Sequence, residues 1–332
     1  MALRRERLDG ACELIERSTA SGVVGAASLY VSQGEFELAR GFGAARSPDT
    51  VFLLASITKP MTATGLMVLC DRHKVALSDP VRKFIPEFRG DGRDEVTLRH
   101  LLTHTSGLPD MLPQNEDLRR RHAPLSEFVA GAVRTPLLFR PGSEVRYQSM
   151  GILLAAEIAQ RIAGQPFREF LRDEVFLPLG MMQTSLGLGG RRIEDTAQCQ
   201  VPKTGWDWNS PYWRDLGSPW GGAHAPPADV ARFLRYFLKP GQGPLKPETA
   251  AAMIVDQNKG LNEPRGIGFV VKPGSFGRHC SARAFGHSGS TGTIAWADPA
   301  SGLICVLLTT KPAEESSRSL LHPVSDLVSD SV

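Results

Sequence analysis

The chain lacks the features that would place it in several functional classes. No stretch approaches the ~20 consecutive apolar residues of a membrane-spanning helix, because charges, glycine or proline interrupt every apolar run. The opening residues, Met-Ala-Leu-Arg-Arg-Glu-Arg, lack the apolar core of an export signal, so the expectation is a cytoplasmic protein. Lysine and arginine never cluster over more than a few positions and the formal net charge is only +3, which argues against a nucleic-acid footprint. Cysteine is scarce. Cys12, Cys70, Cys199, Cys280 and Cys305 are odd in number, widely spaced and without metal-like pairing, so free thiols are expected. Neither a metal nor a cofactor is expected. What remains is a chain of 332 residues, 42% hydrophobic and 22% charged, long enough to bury a large core.

The apolar periodicity changes along the chain. Residues 4–19 read as an amphipathic helix, followed by two strands, 23–31 and 36–42, around the turn Ser32-Gln33-Gly34. From Ser56 to about 255 helical patterns dominate: 61–73, 125–133 and 151–163, the last closed by Gly164. Short β-like runs return at 267–271, 284–287, 292–297 and 303–309, and 320–328 reads as a closing helix. Both ends thus share one character and the middle another. An α+β architecture satisfies this: an antiparallel sheet flanked by N- and C-terminal helices, with a mostly helical lobe inserted. The expected division is 1–55 plus 256–332 for the sheet lobe and 56–255 for the helical lobe, with the active site at their junction.

Ser56-Ile57-Thr58-Lys59 is the first chemically meaningful pattern. Residues three apart share a helix face, so the Lys59 amine can reach the Ser56 hydroxyl. A desolvated lysine loses its proton more easily and can serve as a base. Pro60 is tolerated in a first helical turn, and a helix N-terminus favours developing negative charge. The alternative is that Ser56 merely caps the helix. A chain of this composition contains about one Ser-x-x-Lys by chance, so partners must decide.

Four segments supply them, in order: Phe52-Leu53-Leu54-Ala55 leading into Ser56-Ile57-Thr58-Lys59, then Leu101-Leu102-Thr103-His104-Thr105-Ser106-Gly107-Leu108, then Pro141-Gly142-Ser143 leading to Tyr147, then Gly286-His287-Ser288-Gly289. This series resembles the family of class C β-lactamases, serine D-Ala-D-Ala carboxypeptidases and related esterases, from about residue 10 to about 310. The resemblance implies the β-lactamase/penicillin-binding-protein-like transpeptidase fold. It implies Ser56 as nucleophile, with Tyr147, its pKa lowered by Lys59, exchanging a proton with the Ser56 hydroxyl and the leaving group; which of Lys59 and Tyr147 is the working base stays open. The family's Tyr-x-Asn falls on Tyr147-Gln148-Ser149, so Ser149 replaces an asparagine and brings a hydroxyl of shorter reach, without an amide N–H pair. The family's Lys-Thr-Gly falls on His287-Ser288-Gly289, where His287 would offer a hydrogen bond and, when protonated, positive charge, though an imidazole is often neutral near pH 7. The backbone N–H groups of Ser56 and Ser290, beside Gly289, would form the oxyanion hole.

Some patterns mislead. A literal Lys203-Thr204-Gly205 lies in a loop with no strand pattern around it. Gly286-His287-Ser288-Gly289-Ser290 imitates a hydrolase nucleophile elbow, but a strand rather than a helix follows it. His100 and His104 have helical metal-pair spacing without a third ligand, and the resemblance implies that His104 holds a loop. Trp206, Trp208, Trp213 and Trp220, with Tyr212, crowd one loop. Such rings either wall a pocket or pin the loop to the body, and Trp220 is placed nearest the pocket.

The functional expectation is a carboxylesterase or amidase that forms an acyl-enzyme on a small-molecule ester, amide or lactam. The alternatives are a β-lactamase or D-Ala-D-Ala carboxypeptidase, and a catalytically weak binding module of the same fold.

Overall fold

The computed structural model describes residues 3–201 and 207–332. Its centre is a five-stranded antiparallel sheet in the order β2-β1-β8-β7-β6. β1 (Ala26–Gln33) and β2 (Phe36–Gly43) form a hairpin from the N-terminal part of the chain. β6 (Phe285–Gly289), β7 (Thr293–Asp298) and β8 (Leu303–Thr309) come from the C-terminal part, and β8 pairs directly with β1. The sheet therefore closes both ends of the chain on each other, as the sequence pattern implies.

Alternation along the strands explains how both faces are covered. Ala27, Leu29, Val31, Trp296, Cys305 and Leu307 belong to one core, shared with Leu8, Cys12 and Ile15 of α1 (Arg5–Ala20). The C-terminal helix, introduced below as α6, adds Val324 and Val328 to that core. The indole Nε1 of Trp296 donates to Ser325 Oγ at 2.6 Å, which fixes this helix to the sheet. The intervening residues Tyr30, Ala295, Val306 and Leu308 face the second, larger core.

That larger core is organised around α2 (Thr58–Asp71), in which every residue from Thr58 to Leu69 is buried. A helix buried on every side has no solvent face, and this one is the axis of the larger core. α4 (Met150–Ala163) packs along it and ends at Gly164 in the left-handed conformation a C-terminal glycine favours. α3 (Leu125–Arg134) packs in turn on α4. A small sheet joins β3 (Phe52–Leu53), β5 (Ala223–Ala225) and β4 (Ser185–Leu186) beside the start of α2. The chain closes with α5 (Pro227–Leu238) and α6 (His322–Ser329).

Two features differ from the sequence reading. α5 falls inside the segment assigned to the helical lobe, yet it packs on β8, β7 and β1, because Val230, Phe233, Leu234 and Phe237 match the sheet's second face. The run 267–271 forms isolated bridges rather than a strand. Gly268 has φ 78°, which breaks an extended run. It also lies against α2, where an added Cβ would come within 2.6 Å of Ala63 Cβ. Lys203-Thr204-Gly205 and Trp206 lie outside the described residues.

Candidate active site

Ser56 lies in a short 3₁₀ turn, Ala55–Ile57, that runs directly into α2. No side chain caps α2, so the capping interpretation of Ser56 finds no hydrogen bond to support it. The Ser56 hydroxyl oxygen instead accepts from Lys59 Nζ at 3.1 Å and from Tyr147 Oη at 2.7 Å. Ala55 just before it has φ 48°, a left-handed conformation that costs an alanine energy and that surrounding contacts must hold.

Those contacts are visible. Leu54 N donates to Ala223 O at 2.9 Å. From the other side, Thr291 Oγ1 donates to Leu53 O and Thr293 Oγ1 to Leu54 O, each at 2.9 Å. Gly289 permits this approach: an added Cβ would meet Leu54 O at 2.4 Å and Ala55 Cβ at 2.9 Å. The nucleophile turn is thus clamped between β5 and the β6–β7 corner.

Lys59 is 1% exposed and its ammonium donates to the Trp220 carbonyl at 2.9 Å as well as to Ser56. Burial is the main cause that lowers its pKa to about 7; the charge of Asp110 opposes the shift and that of Arg265 adds to it. Tyr147 moves the other way: burial raises its pKa, the hydrogen bond to Ser56 partly offsets this, and the Asp110 charge raises it further. Near neutral pH the amine is therefore the group more easily found as a free base. The Tyr147 ring stands over Lys59 Nζ at 4.7 Å from its centroid.

The loop that carries Tyr147 is held from behind. Gln148 N donates to His104 Nδ1 at 3.2 Å and Arg146 N to His104 O at 2.9 Å. The His104 ring lies 4.9 Å from the Tyr147 ring, and burial holds its pKa well below the usual histidine value. The His100 ring instead accepts from Thr97 N in a helix cap, while the His100 carbonyl accepts from Gln148 Nε2 at 3.1 Å. Among the described residues no group of three or more His, Cys, Asp or Glu could hold a metal ion, and no helix is long and apolar enough to cross a membrane.

A cavity of about 330 Å³ opens over Ser56. Tyr147, Ser149, Ser290, Thr291, Asp110 and Arg119 supply its polar wall; Leu53, Met111, Trp208, Trp213 and Trp220 supply the apolar one. A larger cavity of about 720 Å³ lies away from Ser56, between α3 and α4, and its lining contains no lysine, tyrosine, histidine or cysteine. Ser56 and Tyr147 line the smaller one.

Ser149 does not reach Lys59; its hydroxyl donates to Asp110 Oδ1 at 2.6 Å. His287 carries no positive charge: burial pushes its pKa to about 3, and the charge of Lys59 adds to the shift. Its Nδ1 sits 2.6 Å from Ser288 O, so that nitrogen carries the proton and Nε2 is buried without a partner among the described residues. Neither His287 nor Gly289 lines the cavity; both sit behind it. Ser288 is exposed on β6 and a strand follows, so no nucleophile elbow forms. The tryptophans do both jobs considered for them. Trp220 is 2% exposed and pins the wall, while Trp208, Trp213 and Trp220 also face the cavity.

Sequence reasoning missed Asp110, Arg119 and Arg265. Arg265 lies 5.7 Å from the Tyr147 ring centroid, and Arg119 lies 3.8 Å from that of Trp213. Asp110 follows Leu108-Pro109 directly after the Thr-Ser-Gly segment, a charged loop residue beside a motif. That was a usable signal; nothing comparable marks the two arginines.

This arrangement can activate a serine hydroxyl beside an aromatic-walled pocket, and comparisons with known proteins point the same way. A family model described as Beta-lactamase matches residues 13–328. The esterase EstB of Burkholderia gladioli is 35% identical over 181 residues, which cover 48% of this chain and 46% of that protein. The aligned stretch therefore spans less than half the length of that relative. Among solved structures, EstCE1, described as a hydrolase with promiscuous acyltransferase activity, superposes with TM-score 0.81 at 19% identity, covering 98% of this chain and 99% of that one. D-amino acid amidase from Ochrobactrum anthropi SV3 superposes with TM-score 0.77 at 22% identity, over 98% of each chain. At those identities the two structures speak for the fold alone.

Proposed function

From the chain's membership of the beta-lactamase family, we propose that it is a serine hydrolase of the carboxylesterase or amidase type, working through an acyl-enzyme on Ser56. The observation that carries this reading is the convergence of Lys59 Nζ and Tyr147 Oη on Ser56 Oγ, at 3.1 and 2.7 Å.

As the Ser56 oxygen attacks the substrate carbonyl, its proton passes to the basic partner. Lys59 suits that role, since its pKa is lowered to about 7 while that of Tyr147 is raised. Tyr147, bonded to the same oxygen, can then hand a proton to the departing alcohol or amine. The backbone N–H groups of Ser56 and Ser290 stabilise the oxyanion, the role in which preorganised donors contribute most. Water then attacks the acyl-Ser56 ester, its proton returns through the same pair, and a carboxylic acid leaves.

Two observations favour an ester or amide over a β-lactam. The asparagine that the Tyr-x-Asn motif would place near the substrate is Ser149, and its hydroxyl is bound to Asp110. Among its relatives, EstB of Burkholderia gladioli, 35% identical over 181 residues, is an esterase. The second reading, a β-lactamase or D-Ala-D-Ala carboxypeptidase, shares the same Ser56, Lys59 and Tyr147. Parallel assays with p-nitrophenyl butyrate and nitrocefin separate them. A kcat/KM for the short ester well above that for nitrocefin supports the esterase; the reverse order assigns the site to lactams.

A further inference from the structure

The donor and acceptor pattern of the cavity wall narrows the substrate class. An asparagine at position 149 would offer amide N–H donors to a substrate carbonyl. Ser149 offers none, because its one proton is committed to Asp110 Oδ1 at 2.6 Å. The Ser149 N–H is also directed to the Asp110 carbonyl, at 3.3 Å. Around position 149 the wall therefore presents lone pairs and a carboxylate. Asp110 is solvent-exposed, lines the same cavity as Ser56, and takes part in no ion pair within 4.0 Å among the described residues. Resting on the hydrolase reading above, we propose that Asp110 is a specificity-determining residue that binds a protonated amine on the acyl part of the substrate, so that aminoacyl esters and amides are preferred.

The electrostatics agree. The Asp110 charge favours the protonated form of Lys59 and opposes ionisation of Tyr147. A substrate ammonium seated on Asp110 cancels part of that field and frees the base when the correct substrate is present. The tryptophan wall accepts an apolar side chain beside it. Among the described residues Arg119 is the one cationic side chain lining the cavity. Its guanidinium packs on the Trp213 ring at 3.8 Å, and a substrate carboxylate directed to it would meet the field of Asp110.

Three ethyl esters of one shape test this: phenylalanine (both enantiomers), 3-phenylpropanoic acid, and the monoester of 2-benzylsuccinic acid. The readout is the ratio of kcat/KM values, each divided by the ester's own hydroxide-catalysed rate. In the wild type the cationic ester should lead the neutral one by about tenfold or more near pH 6.5, the usual worth of a hydrogen bond to a charged group. Because titration of the enzyme cancels in the ratio, the preference should fade as the substrate amine loses its proton, in the range of about pH 7–8. Asp110→Asn should lower the ratio about tenfold, chiefly through KM, and Asp110→Glu should restore part of it; thermal midpoints establish that both variants fold. If a variant does not fold, the wild-type pH dependence decides alone. A wild-type ratio near one, a ratio independent of pH, a ratio unchanged in Asp110→Asn, or preference for the anionic ester overturns the proposal. Turnover of the neutral ester without an amine preference removes this inference and leaves the hydrolase reading standing. Failure on all three esters, with no acylation of Ser56, removes both.

Discussion

Tyr147 Oη donates to Ser56 Oγ across 2.7 Å, although 91 residues separate the two in sequence. That contact needs the β5 clamp on the nucleophile turn, the buried ammonium beneath it and the His104 brace behind the tyrosine loop.

Ser56→Ala should lose at least about 10⁴-fold in turnover, as nucleophile removal does in coupled catalytic sets. Its thermal midpoint should move little, because the hydroxyl caps no helix. A large drop in the midpoint would return Ser56 to a structural role.

Lys59→Met should be about as inactive, yet no less stable at neutral pH. The side chain fills similar space and the cost of burying an ammonium disappears. The sign follows from the pKa lowered to about 7. From there up to about pH 10 the unfolded chain binds a proton that the folded one does not, so wild-type stability rises with pH. The stability advantage of Lys59→Met should therefore be largest below pH 7 and shrink towards pH 10. Chemical denaturation at pH 6, 8 and 10 measures it.

Base catalysis by Lys59 needs the neutral amine. For a substrate that does not titrate, kcat/KM should rise with an apparent midpoint near pH 7. A profile flat from pH 5.5 to 8.5 would exclude Lys59 as the proton acceptor.

Acid should weaken the fold through its buried histidines. His104, His224 and His287 are all held neutral by burial, their pKa values lowered. As pH falls below about 6.5 the unfolded chain gains protons the folded one refuses, a loss of up to about 1.4 kcal/mol per pH unit for each. Denaturation midpoints should fall steadily from pH 6.5 to 5, and a constant midpoint over that range would contradict these burials.

Much of this was legible beforehand, for identifiable reasons. The continuous β-rich run Leu303–Thr309 marks β8 at its full length, because both of its faces are buried and turns bound it. Gly164 ends α4 at the expected residue because only a left-handed residue fits there. Ser56, Lys59 and Tyr147 could be named because their motifs are contiguous. Arg119 and Arg265 reach the site by a course that depends on tertiary packing, and no local pattern encodes it, whereas Asp110 stands directly after the Thr-Ser-Gly motif. Gly268 looks like part of a strand until its approach to Ala63 is known. The fate of Ser149 likewise depends on an acid 39 residues away.

The central claim is that Ser56 carries the acyl group. Intact and peptide mass spectrometry after brief reaction with a fluorophosphonate, and after acid quench during p-nitrophenyl butyrate turnover, tests it most directly. The account predicts one adduct per chain, on the peptide containing Ser56, and none in Ser56→Ala. An adduct on Ser288 or Ser290, or turnover that persists in Ser56→Ala, would contradict it.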